Sequence, residues 1–280
     1  MFRSPSLEDE LGDVLEKALK VSGMREDQLA GRTGINVNRI KDALDYRYDL
    51  TAPELRLIAS VLELNEPGLL ALAADRYPQP EESGLPFCMH IMAMPYGVGV
   101  VNAYLIAAGE SDGAVLIDSG TCARSLREAW PDTVRRLSGH LVTHWDSDHA
   151  GGCLETMSRF GLAYCLGPGP SREGARVLAG DAVVELGGLR IEVISTPGPS
   201  REHYCYLAGL SRNPGARRVL FSGDLFFCGS IGGGFFDTQA VLYHARRLWR
   251  GLPGDTVVAP GHGPLTTIET EREFNPFASD

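Results

Sequence analysis

The stretch Thr143–Gly152, THWDSDHAGG, constrains this chain more than any other. It puts His144, Asp146, Asp148 and His149 within six positions, directly after the apolar-leaning run Gly139–Thr143, the end of a predicted strand. Imidazole and carboxylate are the ligands that zinc, iron and manganese take from proteins. One histidine in such a place is usually a packing residue, but four chelating groups in six residues have no packing explanation. Two isolated candidates follow. Asp224 lies in LFSGDLFF and His262 in VVAPGHGP, each closing an apolar run beside glycine. Glycine at a strand end permits close backbone approach, so such ends can present several side chains into one mouth. The six residues are the candidate metal ligands.

The rest of the chain reads as two regions, as its 280 residues allow. Leu11, Val14, Leu15, Ala18 and Leu19 recur at helical spacing. Further helices fit Glu26–Arg32 and Val37–Leu44, and Thr51-Ala-Pro-Glu54 has the form of a capping box ahead of Leu55, Ile58, Val61 and Leu62. Residues 77–84, YPQPEESG, read as a linker between a domain at 1–76 and one at 85–280. Beyond Leu85, predicted strands at 98–106, 114–118, 189–194, 217–223 and 255–261 mix with helical patterns at 122–137 and 238–250, so an α+β fold is expected. No run nears the roughly 20 apolar residues of a membrane span. The N-terminus has no apolar signal segment, so a cytoplasmic protein without a membrane partner is expected. The six cysteines (88, 122, 153, 165, 205, 228) are dispersed without a CxxC and read as free thiols that serve packing.

Ala30, Gly34 and Ile40 in QLAGRTGINVNRI suit two helices crossing closely at a glycine turn. Over roughly residues 8–75 the region resembles the Cro/repressor-type helix-turn-helix family. That resemblance implies a small all-α domain, possible DNA binding through Asn36, Asn38, Arg39 and Lys41, and a homodimer. Against it, residues 1–76 carry ten basic and fourteen acidic side chains, net −4, within a chain of net charge −10. Asp42, Asp45 and Asp49 flank the candidate recognition helix and repel phosphate. The competing reading is a helical bundle that dimerises or packs on the second domain.

From about residue 87 the chain resembles the metallo-β-lactamase-fold hydrolases. Their HxHxDH, TPGH, GD and GH segments correspond to His144-Trp-Asp146-Ser-Asp148-His149, Thr196-Pro-Gly-Pro199, Gly223-Asp224 and Gly261-His262, with Asp118 of VLIDSG in a structural role. The resemblance implies an αββα sandwich. GDLFFCGSIGG and PGHGPLTTIETEREFNPF further resemble the short glyoxalase II-like branch. It also implies two metal sites. Site two is complete in Asp148, His149, His262 and Asp224. Site one keeps His144 and the shared Asp224, with Asp146 and Pro199 standing where the family has histidine.

Three readings follow. In the first, a metal-dependent hydrolase cleaves an ester or thioester with metal-activated water, Asp146 or Asp148 orienting that water and taking its proton. In the second, Asp146 rebuilds site one for diiron-type oxygen or nitric oxide chemistry. In the third, a non-catalytic regulator senses metal or ligand. One or two divalent ions per chain are expected, zinc first, with manganese and iron as alternatives. His203 and Tyr204 are candidate contacts for a small-molecule substrate.

Overall fold

The computed structural model describes residues 6–80, 84–97, 99–109, 113–170 and 173–279. Residues 81–83 of the expected linker, and Val98 of the strand expected at 98–106, therefore lie outside the described residues. The architecture is mixed α+β, with a helical region leading into two facing sheets.

The first sheet runs in the order β1 (Cys88–Tyr96), β2 (Gly99–Ala107), β3 (Ala114–Ile117), β4 (Leu137–Leu141), β5 (Cys165–Gly167), β6 (Ala175–Val177). The second takes its strands out of chain order. From one edge it reads β14 (Thr266–Thr267), β13 (Val257–Pro260), β10 (Val219–Gly223), β9 (Tyr204–Leu210), β8 (Leu189–Ser195), β7 (Val183–Leu186). A short ribbon pairs β11 (Phe226–Phe227) with β12 (Ser230–Ile231). Between the sheets, Tyr104, Ile106, Ile117 and Leu141 pack with Ile191, Val193, Tyr206, Phe221 and Ala259 in one buried cluster. Alternation along β8, buried at Leu189, Ile191 and Val193, gives the strand one core face. β9 is buried throughout because it is covered on both faces.

This layout brings the ligand-bearing segments together. β10 and β13 are parallel neighbours, Val219 opposite Val257, so Asp224 and His262 leave the second sheet side by side. β4 of the first sheet feeds the loop that carries His144. Stitches across the sandwich hold the two sheets in register. Tyr104 donates from its hydroxyl to the Pro260 carbonyl at 2.6 Å, and Asn102 N–H to the Gly261 carbonyl at 2.7 Å.

The N-terminal region forms five helices among the described residues: α1 (Leu11–Ser22), α2 (Glu26–Thr33), α3 (Val37–Leu44), α4 (Ala52–Leu62) and α5 (Glu66–Ala73). The capping box at Thr51 and Glu54 is present. The helix expected over 122–137 is only α6 (Ala123–Ala129). Trp130 turns extended ahead of Pro131, whose ring disfavours helical geometry in the residue before it. α7 (Ser147–Ala150) and α8 (Cys153–Phe160) follow, and α9 (Thr238–Gly251) and α10 (Ile268–Phe274) complete the set. Among the described residues no helix is long and apolar enough to cross a membrane.

The helical region does not stand apart. Val14, Leu15, Leu69, Leu72 and Tyr77 belong to the same apolar cluster as Phe226, Trp249, Ile268 and Phe277. Lys17 donates to the Ile231 carbonyl at 2.7 Å, Lys20 to that of Gly233 at 2.9 Å, and the Asn65 amide to that of Glu273 at 3.0 Å. Buried Glu271 lies at the centre of this seam. Its carboxylate accepts from Tyr77 at 3.2 Å, Thr266 at 2.7 Å, Gly229 N–H at 3.2 Å and Asn275 at 2.6 Å. Burial nevertheless pushes its pKa up from 4.5 to about 7, the four donors opposing the shift. The folded chain then binds this proton more tightly than the unfolded one. Stability therefore falls as pH rises from about 4.5 to about 7, by at most about 3 kcal/mol, and is level above. Urea unfolding at pH 5 and pH 8 checks this: Glu271→Gln should flatten the fall, and equal falls in both proteins would refute it.

Candidate metal centre

The three candidate histidine ligands are each aimed by a local device. Asp118 directly follows β3 with φ +57, a left-handed conformation unusual outside glycine. Its carboxylate accepts from the Thr143 N–H at 2.7 Å, the Thr143 hydroxyl at 2.8 Å and His149 Nδ1 at 3.0 Å. One buried carboxylate thus anchors the start of the THWDSDH loop and fixes the His149 ring. His262 Nδ1 donates to the Val100 carbonyl at 2.9 Å, and His144 Nδ1 is 3.0 Å from the Thr143 hydroxyl. With Nδ1 occupied in all three rings, each leaves Nε2 for an ion, the arrangement by which outer partners fix a ligand's tautomer.

The Nε2 atoms converge on two carboxylates. His149 Nε2 is 3.2 Å from Asp224 Oδ1 and 3.6 Å from Asp148 Oδ2. His262 Nε2 is 3.4 Å from Asp148 Oδ2 and 3.6 Å from Asp224 Oδ1. His144 Nε2 is 3.7 Å from Asp224 Oδ2 and 3.5 Å from Asp146 Oδ2. Two overlapping triads result, Asp148/His149/His262 and His144/His149/Asp224. Asp146 stands apart from them in exposure, its side chain 59% accessible at the rim.

Electrostatics carry the same signature. Burial opposes the charged form of His149, but Asp224 and Asp118 hold its pKa well above the usual imidazole value. Burial also opposes charge on Asp224, yet His149, His144 and His262 hold it well below the carboxylate range. His144 is lowered by burial and by its neighbour His149. His144 Nε2, His149 Nε2 and Asp224 Oδ1 are buried without a hydrogen-bond partner. Three orphaned polar atoms facing one point are costly unless something cationic satisfies them, so this donor set fits a divalent ion.

His203 and Tyr204, the candidate substrate contacts, are both buried. His203 Nδ1 is 2.8 Å from the Thr196 hydroxyl, and its Nε2 accepts from the Asp224 N–H at 3.1 Å. Both ring nitrogens are engaged, Nε2 on the backbone N–H of Asp224, and the ring lies 5.2 Å from that of His144 between centroids. Tyr204 donates to the Leu178 carbonyl at 2.9 Å. Of the aromatic residues after Asp224, Phe227 lies edge-on to His262 at 5.7 Å between ring centroids, while Phe226 packs on Trp249. In the helical region Asn36 caps α3, Arg39 pairs with Glu54 at 3.0 Å and lies over Tyr48, and Asn38 and Lys41 are exposed.

One contributor had no sequence signal. Glu8, just before α1, sets its Oε1 3.9 Å from His262 Nδ1 and its backbone against the turn at Gly263. Burial raises its pKa, with His262 opposing. It lies 254 positions from its neighbour, and only the packing of the helices on the sandwich brings it there.

Comparison with known proteins places this geometry in a family. The model described as "Metallo-beta-lactamase superfamily" matches residues 96–262. An uncharacterized protein of Aquifex aeolicus is 30% identical over 69% of this chain and 98% of its own length. A hydroxyacylglutathione hydrolase of Xanthomonas campestris is 32% identical over 62% of this chain, which spans 65% of that protein. Among solved structures, TTHA1623 in a di-iron-bound form is similar at 30% identity and a TM-score of 0.53, covering 66% of this chain and 98% of that one.

Proposed function

Because this chain belongs to the metallo-beta-lactamase superfamily, we propose that it is a metal-dependent hydrolase of an ester or thioester. The observation that carries the reading is the convergence of three tautomer-fixed imidazoles and two carboxylates with unpartnered buried atoms. The hydroxyacylglutathione hydrolase relatives supply the substrate class.

Asp148, His149, His262 and Asp224 would hold the ion. A divalent ion bound there supplies Lewis acidity and lowers the pKa of a coordinated water to about 7. The chain's own residues do the rest. Asp118 and the Val100 carbonyl keep the Nδ1 protons of His149 and His262 in place, so that Nε2 stays bare. Burial raises the pKa of Asp148, but the neighbouring His262 and His149 outweigh it and favour the ionised carboxylate. Asp146, exposed at the rim beside His144, orients the incoming water and accepts its proton at Oδ2. Phe227 and Tyr96, either side of His262, form apolar walls.

The test is elemental analysis of protein purified without chelator, followed by an ester and thioester panel. About one zinc or manganese per chain with turnover of either class supports the reading; metal-loaded protein inert on both sinks it. A diiron centre for oxygen or nitric oxide chemistry is the second reading, favoured by Asp146 beside His144. About two irons per chain with oxygen or nitric oxide consumption would establish it. For the N-terminal helices we propose helix-turn-helix packing, with the exposed Asn38 and Lys41 as the surface of a sensor reading. A gel shift on a selected DNA that moves with metal would support that reading, and no shift at any metal level would end it.

A further inference from the structure

A second cluster of ligating groups lies behind the metal loop, and the mechanism above makes no use of it. His140 on β4, Cys153 at the start of α8 and Cys165 at the start of β5 are all buried, with ligating atoms within 4.8 Å of one another. Cys165 Sγ is 3.1 Å from His140 Nδ1, which is 2.8 Å from the Thr156 hydroxyl. The surroundings are soft and apolar: Val142, Trp145, Ala150 and Met157. Two ligands of one tetrahedral zinc, at about 2.3 Å for sulfur and about 2.0 Å for nitrogen, stand roughly 3.5 Å apart. The cluster already approximates that spacing.

We propose that His140, Cys153 and Cys165 form a structural site for a thiophilic divalent d10 ion, of which zinc is the type, with the Thr156 hydroxyl as a fourth, neutral ligand. Charge selects the class of ion. Two thiolates with a divalent cation sum to zero, whereas a monovalent ion would leave a net negative charge in an apolar interior, where unpaired charge is heavily penalised. One thiol of the pair is prepared for deprotonation, while its hydrogen bond to Cys165 and burial hold Cys153 above the usual thiol range. The hydrogen bond from Cys153 holds Cys165 below the usual thiol range, and His140 adds to it. Binding then releases the Cys153 proton, as thiolate ligation requires. His140 also lines a cavity of about 220 Å³ with Leu162, Tyr164 and Leu166. The placement gives the site a purpose. His140 precedes the THWDSDH loop and Cys153 follows it, so an ion joining them clamps both ends of the segment carrying four of the six candidate ligands.

The candidate catalytic ligands include no cysteine, so a sulfur-specific probe separates the two sites. The test uses full-length chain carrying Cys88→Ser and Cys122→Ser, which removes the two exposed thiols. Cadmium is supplied during expression and again to the purified protein. A thiolate-to-cadmium charge-transfer band saturating at about one ion per chain is expected, retained in Asp148→Ala and lost in Cys165→Ser. X-ray absorption at the cadmium edge, with Cys153 and Cys165 intact, removes dependence on how well that variant folds. Two sulfur neighbours per ion in Asp148→Ala support the site. A cadmium shell of nitrogen and oxygen only, no bound cadmium, or a band that survives Cys165→Ser would overturn it.

Discussion

Asp224→Ala should reduce metal at the His/Asp centre from about one ion per chain to essentially none, and hydrolysis with it. Among the described residues, Asp224 is the one whose carboxylate faces all three imidazoles, Oδ1 toward His149 and His262 and Oδ2 toward His144. Its removal takes the carboxylate from the His144/His149/Asp224 triad and withdraws Oδ1 from beside His149 and His262 of the other. The loss should exceed the roughly 10–100-fold typical of removing an outer-sphere partner. Asp118→Asn supplies that comparison, since it keeps the shape but weakens the anchor of His149 Nδ1. Asp146→Ala separates the mononuclear and dinuclear readings. Retained metal with lowered turnover fits a rim base, whereas a halved metal content fits a ligand. Elemental analysis and titration calorimetry read all three variants. Metal binding in Asp224→Ala within a few-fold of the parent would refute the centre as described.

The second large effect concerns the helices. A chain starting at residue 85 should fail to give soluble, cooperatively folding protein. Phe226, Leu248, Trp249, Ile268 and Phe277 would lose the cover of Leu15, Leu69, Leu72 and Tyr77. Glu271 would lose Tyr77, leaving a buried carboxyl with one donor fewer. Together these losses far exceed the ~1 kcal/mol of an average point substitution. A milder probe of the same seam is Gly68→Ala, because a methyl there would meet the Phe274 carbonyl at 1.6 Å. It should destabilise by about 3 kcal/mol, the upper end of the usual cost of overpacking, because the clash is with backbone. Thermal unfolding of both proteins is the measurement. A truncated chain that melts cooperatively within a few degrees of the parent would show the helices to be an independent appendage.

The sequence disclosed those parts of the molecule in which chemistry is local. THWDSDH is contiguous, and GD and GH each end an apolar run, so six candidate ligands could be named before any strand order was known. α1, α3, α4 and α9 announce themselves by 3.6-residue periodicity or by a cap. β9 does not, because burial on both faces erases alternation and leaves YCYLAGL without a period. β1 was hidden for a different reason: its burial alternates at Met92 and Met94, but the run lacks β-branched density. What lay beyond reach was non-local. Glu8 meets His262 only because α1 docks on the sandwich, and Cys153, Cys165 and His140 carry no CxxC spacing to betray their meeting. His203 stands where the family's segment after Thr196-Pro carries a second histidine, which says nothing of what its ring touches. Only its two engaged nitrogens identify it as the brace of Asp224.

The three imidazoles are not held alike, and the difference gives the centre a direction. His149 is backed by a carboxylate, His262 by a backbone carbonyl and His144 by a hydroxyl. An anionic partner makes an imidazole the more basic donor, so grip on an ion declines from His149 through His262 to His144. The weakest grip falls on the side where Asp146 opens to solvent. Ligand exchange therefore has a front door, and the sequence of departures under a chelator should begin there, with His149 the last to let go.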